Sequence, residues 1–262
     1  QQWVDSLNPT YPALEPKLFE AIGVFESHEV VDRPLLERLL ASKDYRARAY
    51  ATRVIGRWHD RLKNPLALLR HSATDEHLRV RLEAIVAASD VREAESISIA
   101  AQAAYGSADR FITFAFKKAV HSLASEWKPA LLTGKLDFAK PEHLLSVVRE
   151  SGSNEVASVV RQKLADPGLS DARKLILAEL LAQIGNSADA GLALKFDPIH
   201  PTILYALVNA ARERNLKAPA NAAELLNVPL KTAASRAGAV QLIGSWKINA
   251  HAETILAFAA SQ

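Results

Sequence analysis

One eleven-residue segment of this chain occurs twice, and it limits the possible folds more than any other feature. Residues 48–58 read RAYATRVIGRW, and residues 236–246 read RAGAVQLIGSW. Arginine, two alanines, Ile-Gly and tryptophan stand at the same offsets in both copies. A self-match of this length indicates that the chain is built from copies of one structural unit.

The unit recurs every 33 residues in the first half of the chain. A small residue marks each step, with an apolar residue two positions earlier; the small residues are Gly23, Gly56, Ser89 and Ser122. Apolar spacing within each period predicts a shorter helix (35–41, 65–71, 94–104) and a longer one (44–58, 76–89, 109–124). A single helical hairpin cannot bury its apolar face, so the copies must stack. We therefore predict an all-α fold, a right-handed α-α superhelix of repeats.

Regularity divides the chain into three predicted parts. Residues 1–15 carry Pro9 and Pro12 and form a lead-in segment, and residues 16–135 form the regular repeats. Residues 136–262 form less regular repeats, with helices at 141–150, 154–165, 171–184, 202–214, 220–226, 231–246 and 250–260. Segment 191–201 is turn-rich, and the last helix caps the stack. The chain begins with Gln1, and we expect it to be a piece of a longer protein.

Composition narrows the function classes. The 32 basic and 29 acidic residues nearly balance, which gives only a weak attraction for anions and disfavours nucleic acid as the partner. Cysteine is absent, which excludes disulfides, cysteine metal ligands and thiol nucleophiles. No apolar run approaches the ~18 residues of a membrane span, so we predict no membrane insertion. GxSxG, Walker and GxGxxG motifs are also missing, so we predict no catalytic residues and no cofactor in this chain.

Two-helix units of this length, with Asp before the second helix and Arg a few residues into it, resemble HEAT repeats. The pattern is clearest in segments 44–58, 75–89 and 236–246. This resemblance implies a binding scaffold with an extended concave face and a protein as the partner.

A narrower resemblance covers residues 31–135. VDRPLLERLLAS (31–42), DEHLRVRLEA (75–84) and WKPAL (127–131) are similar to the HEAT segment of large proteins from Planctomycetes and Verrucomicrobia. In that family a sugar-dehydrogenase-like β-propeller precedes the HEAT segment, and a c-type haem domain with a CxxCH motif follows it. The resemblance implies an extracytoplasmic location, periplasmic or membrane-associated. It also implies a haem-bearing parent protein of which this chain is the middle piece, without the activity of either neighbour.

Four arginines of the first copy fall on one predicted stripe. Their spacings of 7, 4 and 4 place Arg46, Arg53, Arg57 and Arg61 on one side of a helix. The stripe is either a binding face for an anion or an acidic partner, to which the adjacent His59 and Asp60 contribute, or an ordinary solvated helix face. The second copy has Gln, Ser, Lys and Ile at positions 241, 245, 247 and 248, so any function belongs to the residues that are not repeated.

The repeated residues suggest architecture rather than a site. Asp44 and Asp75 are predicted helix caps, and Arg48 and Arg81 either anchor a ligand or form a ladder to these carboxylates or to carbonyls of the neighbouring repeat. Arg236 has Thr232 where an Asp would stand, so its partner is not predicted. The other recurring positions, which we interpret as packing positions, are Gly56, Trp58, Gly244 and Trp246.

Three further kinds of site concern the histidines and the tryptophans. The eight histidines show no metal-binding spacing, so no metal site is predicted. Trp58 and Asp60 could line a cleft for a flipped base, because some alkylpurine DNA glycosylases are basic HEAT-like solenoids; a nucleic-acid-binding protein of this kind is the alternative function. A small-molecule pocket around Trp127 and His143 is the third possibility.

Overall fold

The computed structural model describes residues 14–107, 109–152 and 154–260. These residues form α-helices, two short 3-10 helices and connecting turns, and they contain no β-strand. The chain divides into two compact units, Gln1–Ala139 and Lys140–Gln262. Of the predicted lead-in segment, residues 1–13 lie outside the described residues, and its last two residues begin the first helix.

The first unit consists of helical hairpins stacked in two layers. Its longer helices are α1 (Leu14–Ser27), α3 (Tyr45–Arg57), α5 (Leu78–Val91) and α7 (Arg110–Ser122), and each contacts the next in one layer. The shorter helices α2 (Arg33–Leu40), α4 (Pro65–Ser72) and α6 (Ser96–Ala104) each pack against the longer helix that follows. α8 (Ala124–Leu132) follows α7 and contains Trp127 and Pro129. The alternation of short and long helices is the one that the 33-residue period predicts.

Small and aliphatic side chains allow the longer helices to approach closely. On α3 the buried side includes Ala47, Ala51, Val54 and Ile55, and on α5 it includes Ala84, Ile85, Ala87 and Ala88. Short side chains keep the helix axes close, so many atoms of each helix reach contact distance. The helices begin at capping residues, among them Asp32, Asp44, Asn64 and Asp109, whose side chains accept hydrogen bonds from free backbone N–H groups.

The second unit repeats the two-layer arrangement. One layer contains α9 (Pro141–Ser151), α11 (Asp171–Ile184), α13 (Pro201–Glu213) and α16 (Arg236–Trp246). Against it pack α10 (Ala157–Leu164), α12 (Ser187–Phe196) and the two short helices α14 (Ala222–Leu225) and α15 (Asn227–Lys231). The unit ends with α17 (Ala252–Ala260), from which Ile255 and Phe258 pack against the core while Leu256 is exposed.

Two sequence predictions about this unit are wrong. Segment 191–201 is not all turn, because α12 continues to Phe196. It begins at a capping box in which Asn186 accepts from the N–H of Asp189 and Asp189 accepts from the N–H of Asn186. The predicted helix at 231–246 is interrupted, since α15 ends at Lys231 and a turn precedes α16.

Candidate protein-interaction surface

Only three of the four arginines of the predicted stripe lie on one helix. Arg46, Arg53 and Arg57 lie on α3, which ends at Arg57 with Trp58 as its C-terminal cap. Arg61 lies in the turn after α3, so the prediction of one helical stripe reaching Arg61 is wrong. The chain nevertheless returns Arg61 to the same region, because it lines a cleft together with Arg57. We call Arg46, Arg53, Arg57 and Arg61 the arginine face.

The four side chains differ in how far they are neutralised. Arg46 pairs with Asp44 at 2.9 Å, and Arg61 donates to the backbone carbonyl of Glu29 at 2.7 Å and lies 3.0 Å from its carboxylate. Arg57 is 3.9 Å from the carboxylate of Glu26, which already accepts a 2.6 Å hydrogen bond from Tyr50. Within the described part of the chain Arg53 makes no side-chain hydrogen bond or ion pair. The arginine face therefore has one unpaired and one weakly paired guanidinium on consecutive turns of α3.

Two open clefts lie beside these side chains. The larger, of about 790 Å³, lies between α3 and α5 and is lined by three guanidinium groups, one imidazole and two carboxylates: Arg53, Arg57, Arg92, His59, Glu83 and Asp90. The smaller, of about 440 Å³, lies between α1 and α3. In the larger cleft Arg79 pairs with Glu83 and Glu126 pairs with Arg92. Of the charged groups in the cleft, two arginines (Arg53 and Arg57) and one carboxylate (Asp90) then remain. The cleft therefore has a net positive charge.

His59 and Asp60 each contact a neighbouring group of the chain. The Nδ1 atom of His59 is 2.8 Å from the carbonyl of Gly56, and the Asp60 carboxylate is 3.6 Å from the guanidinium of Arg61. No three side chains of ligand type converge anywhere in residues 14–107, 109–152 and 154–260. His59 and Asp60 thus lie at the border of the arginine face.

Arg48 joins two successive repeats. Its Nε and Nη2 atoms donate to the two carboxylate oxygens of Asp75 at 2.7 and 2.9 Å, and its Nη1 atom donates to the carbonyls of Ser42 and Lys43. Burial alone would raise the pKa of Asp75, but the guanidinium of Arg48 and the N–H of His77 outweigh burial and hold that pKa below its usual value. The carboxylate of Asp75 belongs to the following repeat, as the ladder interpretation requires, whereas the two carbonyls belong to the turn just before α3.

The hydrogen-bond partners of the repeated arginine differ from one repeat to the next. Arg81, one period later, donates to the carbonyls of Ala103 and Tyr105 rather than to a carboxylate. Asp44 caps α3 by accepting from the N–H of Arg46. The prediction that Asp75 caps α5 is wrong, because His77 occupies the cap position and Asp75 accepts from the N–H of His77.

Arg236 shows that the second copy repeats the first at the level of hydrogen bonds. It donates to the carbonyls of Leu230 and Lys231, six and five residues earlier, which are the offsets that Arg48 uses. In place of a carboxylate, its guanidinium lies 4.4 Å from the ring centre of Phe258 on α17. The sequence left this partner open, because the capping helix supplies it from outside the repeated segment.

The other recurring positions have unequal surroundings. A Cβ atom on Gly56 would lie 2.9 Å from the Cα of Ala87, whereas a Cβ atom on Gly244 would meet nothing within 4 Å. Trp58 is only 1% exposed and Trp246 is half-buried, with its indole N–H donating to the carbonyl of Leu216. Gly56 and Trp58 therefore pack between helices, while Gly244 faces open space.

The burial of Trp58 and Trp127 excludes the surface roles considered for them. Trp58 belongs to the core, so it cannot stack on a flipped base, and the prediction of an aromatic clamp is wrong. Trp127 is completely buried and its indole N–H donates to the carbonyl of Val120, so it is not a lining residue of a small-molecule pocket. His143 is a buried residue of α9.

One cleft of the second unit was not predicted from the sequence. It has a volume of about 900 Å³ and lies over α13, between α11 and α16, with Arg149 of α9 at one end. Ala234, Gly238 and Gln241 of α16 line it. The sequence contained a signal for it, because these residues replace Arg46, Tyr50 and Arg53 of the first copy. We call this cleft the α13 groove.

Comparison with known proteins shows that part of the chain matches a family model. Residues 33–120, about a third of the chain, match the family model described as HEAT repeats. No curated protein and no solved structure matches the chain. Among the described residues, no helix has the length and apolar character needed to cross a membrane. The matched residues run from α2 into α7 of the first unit, and the match agrees with the all-helical repeat fold of the described residues.

Proposed function

We propose that this chain is a non-catalytic docking scaffold whose arginine face binds an acidic surface of a partner protein. The main observation behind this proposal is that Arg53 and Arg57 lie on consecutive turns of α3. Arg53 has no ion pair among the described residues, and Arg57 has only a 3.9 Å approach to Glu26. A guanidinium that stays exposed and unpaired beside a cleft can form bidentate hydrogen bonds to an incoming carboxylate.

The contrast with the repeated arginines supports this assignment. Arg48, Arg81 and Arg236 donate to groups of the chain itself: Arg48 and Arg81 reach the following repeat, and Arg236 reaches the end of α15. Arg53 and Arg57 are replaced by Gln241 and Ser245 in the second copy, so the architecture of the unit does not need them. HEAT repeats commonly mediate protein interactions, which agrees with a scaffold.

We further propose that the scaffold is the middle part of a larger extracytoplasmic, dehydrogenase-like protein, between a sugar-oxidising propeller and a c-type haem domain. The support is the similarity of segments 31–42, 75–84 and 127–131 to the HEAT segment of such proteins. The haem would be held by the parent protein outside this chain. Sequencing the gene on both sides tests the context: a propeller upstream and a CxxCH motif downstream are expected, and their absence would refute it.

The docking role is tested by cross-linking within the full-length gene product and in extracts of its source. The variant R53Q/R57S gives α3 the residues of the second copy. We expect it to lose about tenfold in partner cross-links, because two exposed charge pairs contribute about 1 kcal/mol each at most. The wild-type contact should weaken as salt is raised from 50 to 500 mM.

The control is R38Q/R212Q, which removes the same charge from two exposed arginines outside the arginine face. Equal losses in the two double variants would show that net charge, and not the arginine face, drives association. Competition of the contact by duplex DNA at low salt would favour the nucleic-acid alternative instead.

A further inference from the structure

We propose that the α13 groove binds an extended peptide segment with uncharged side chains. This site lies in the second unit and does not depend on the arginine face. The α13 groove has a volume of about 900 Å³ and is lined along α13 by a stripe at helical spacing: Pro201, Tyr205, Asn209 and Glu213. Glu179 and Gln183 of α11 line one side, and the small residues of α16 line the other.

The α13 groove exists because the second copy lacks side chains that fill the same place in the first. In the first copy, Tyr50 fills the space between α1 and α3, with its ring centre 4.7 Å from that of Phe19 and its hydroxyl bonded to Glu26. The equivalent residue on α16 is Gly238, where an added Cβ atom would lie 3.0 Å from the Cβ of Leu204, so the glycine lets α16 lie close to α13 and no side chain extends from it into the cleft. Ala234 and Gln241 likewise stand where Arg46 and Arg53 stand on α3. The second copy thus keeps the backbone arrangement of the first but has a groove on its surface.

The charged groups at the α13 groove are largely neutralised by each other. Arg149 donates to Gln183 at 2.8 Å and to Glu179 at 3.1 Å, and Gln183 donates to Glu179 at 2.9 Å. Arg214 and Glu213 are adjacent and of opposite sign, and Arg214 donates to the carbonyl of Gly185. The lining therefore provides no net charge that would select an acidic or a basic ligand.

Uncharged polar groups at the α13 groove are left without partners. In the part of the chain that the structure describes, Tyr205, Asn209 and Gln241 form no side-chain hydrogen bond. Tyr205 is 70% exposed on the wall, and Asn209 is half-buried between Tyr205 and Glu213 on the same stripe. A carboxamide offers two donors and one acceptor, which matches the N–H and C=O groups of a peptide backbone. Burying Asn209 under a ligand is favourable only if that ligand supplies these groups.

The dimensions also suit an extended chain. Packed helices lie about 8–10 Å apart, and an extended chain advances about 3.3 Å per residue, so three residues span one helix spacing. A segment crossing α11, α13 and α16 would need about six residues. Tyr205 gives such a segment a flat apolar contact, and the cleft lined by Ala234 and Gln241 has room for its side chains.

The test uses the full chain and an array of blocked eight-residue peptides in neutral, acidic and basic sets. Retention of neutral peptides is expected, with binding that changes less than twofold between 50 and 500 mM salt. The best peptide is then measured by fluorescence anisotropy against single variants. Q241R copies Arg53 into the α13 groove and should weaken binding at least tenfold, whereas S245R copies Arg57 onto the same helix outside the lining and should leave binding unchanged.

Two more variants separate the contributions. N209L keeps the branched shape and the number of heavy atoms of the side chain and removes its hydrogen-bonding groups, so at least a fivefold loss is expected with an unchanged melting temperature. R53Q/R57S should bind the peptide as the wild type does, which separates this site from the arginine face. Retention of charged peptides only, no retention of any set, or equal effects of Q241R and S245R would overturn the proposal.

Discussion

Arg48 holds both carboxylate oxygens of Asp75, at 2.7 and 2.9 Å, across two successive repeats. The two side chains are only 12% and 9% exposed, so neither charge is well solvated without the other. We expect D75N to lower the free energy of unfolding by about 2 kcal/mol, less than the ~3–5 kcal/mol for a fully buried pair. Urea unfolding of D75N, R48M and the double variant gives the coupling energy, which should exceed ~1 kcal/mol.

The exposed pair Arg46–Asp44 is the control for this prediction. Its distance of 2.9 Å is similar, but the Arg46 side chain is 74% exposed. R46A should therefore leave the midpoint of urea unfolding close to that of the wild type. Equal costs for R46A and R48M would contradict the view that burial of the Arg48–Asp75 pair links the repeats.

The Arg48–Asp75 pair also predicts a pH dependence. The pKa of Asp75 is lower in the folded chain than its ordinary value of 3.8, because Arg48 and His77 outweigh the opposing effect of burial. A lowered folded-state pKa stabilises the fold above the unfolded pKa, and this stability is lost as the pH falls through the folded pKa. The difference in stability between wild type and D75N should be constant from pH 7 to about 5 and shrink below pH 4. A difference independent of pH down to 2.5 would contradict the ion pair.

Gly56 and Gly244 should respond differently to the same substitution. In G56A the new methyl group would lie 2.9 Å from the Cα of Ala87 on α5, so the two helices must move apart. We expect a loss of about 1–3 kcal/mol. G244A meets open space within α16 and should be neutral or more stable by up to about 1 kcal/mol. Thermal unfolding of both variants checks this, and similar shifts would show that α3 and α5 tolerate separation at Gly56.

The repeat pattern made much of the fold predictable. The 33-residue period reproduces the helix order of the first unit from α2 to α7, but α8 was not predicted. The bounds predicted for α11, residues 171–184, agree with the structure. α12 was missed because its sequence, SADAGLALKF, lacks a clear polar face and includes Gly191, and its capping box has Asp in place of the usual Glu. Tertiary packing of α12 against α11 and α13 overrides these weak local signals.

The surfaces were predictable only in part. The sequence identified the positions that differ between the two copies, which include those of the arginine face. It could not show that Arg61 reaches Glu29 or that Arg53 stays unpaired, because those facts depend on the path of the turn after α3. The α13 groove was missed because it results from small side chains at positions 234 and 238. Patterns of charged and aromatic residues suggest sites in a sequence, whereas the absence of a large side chain does not.

The last prediction concerns Asp189, whose buried carboxylate accepts hydrogen bonds from two partners. It is 1% exposed, accepts two hydrogen bonds from Arg161 at 2.7 and 2.8 Å, and accepts the N–H of Asn186 at 2.9 Å. D189A removes the ion pair and half of the capping box, and should cost about 3 kcal/mol, whereas R161Q leaves the cap and should cost about 1 kcal/mol. Hydrogen exchange should show lost protection at the start of α12 in D189A only. Equal loss of protection in R161Q would mean that Arg161, rather than the capping box, holds the start of α12 in place.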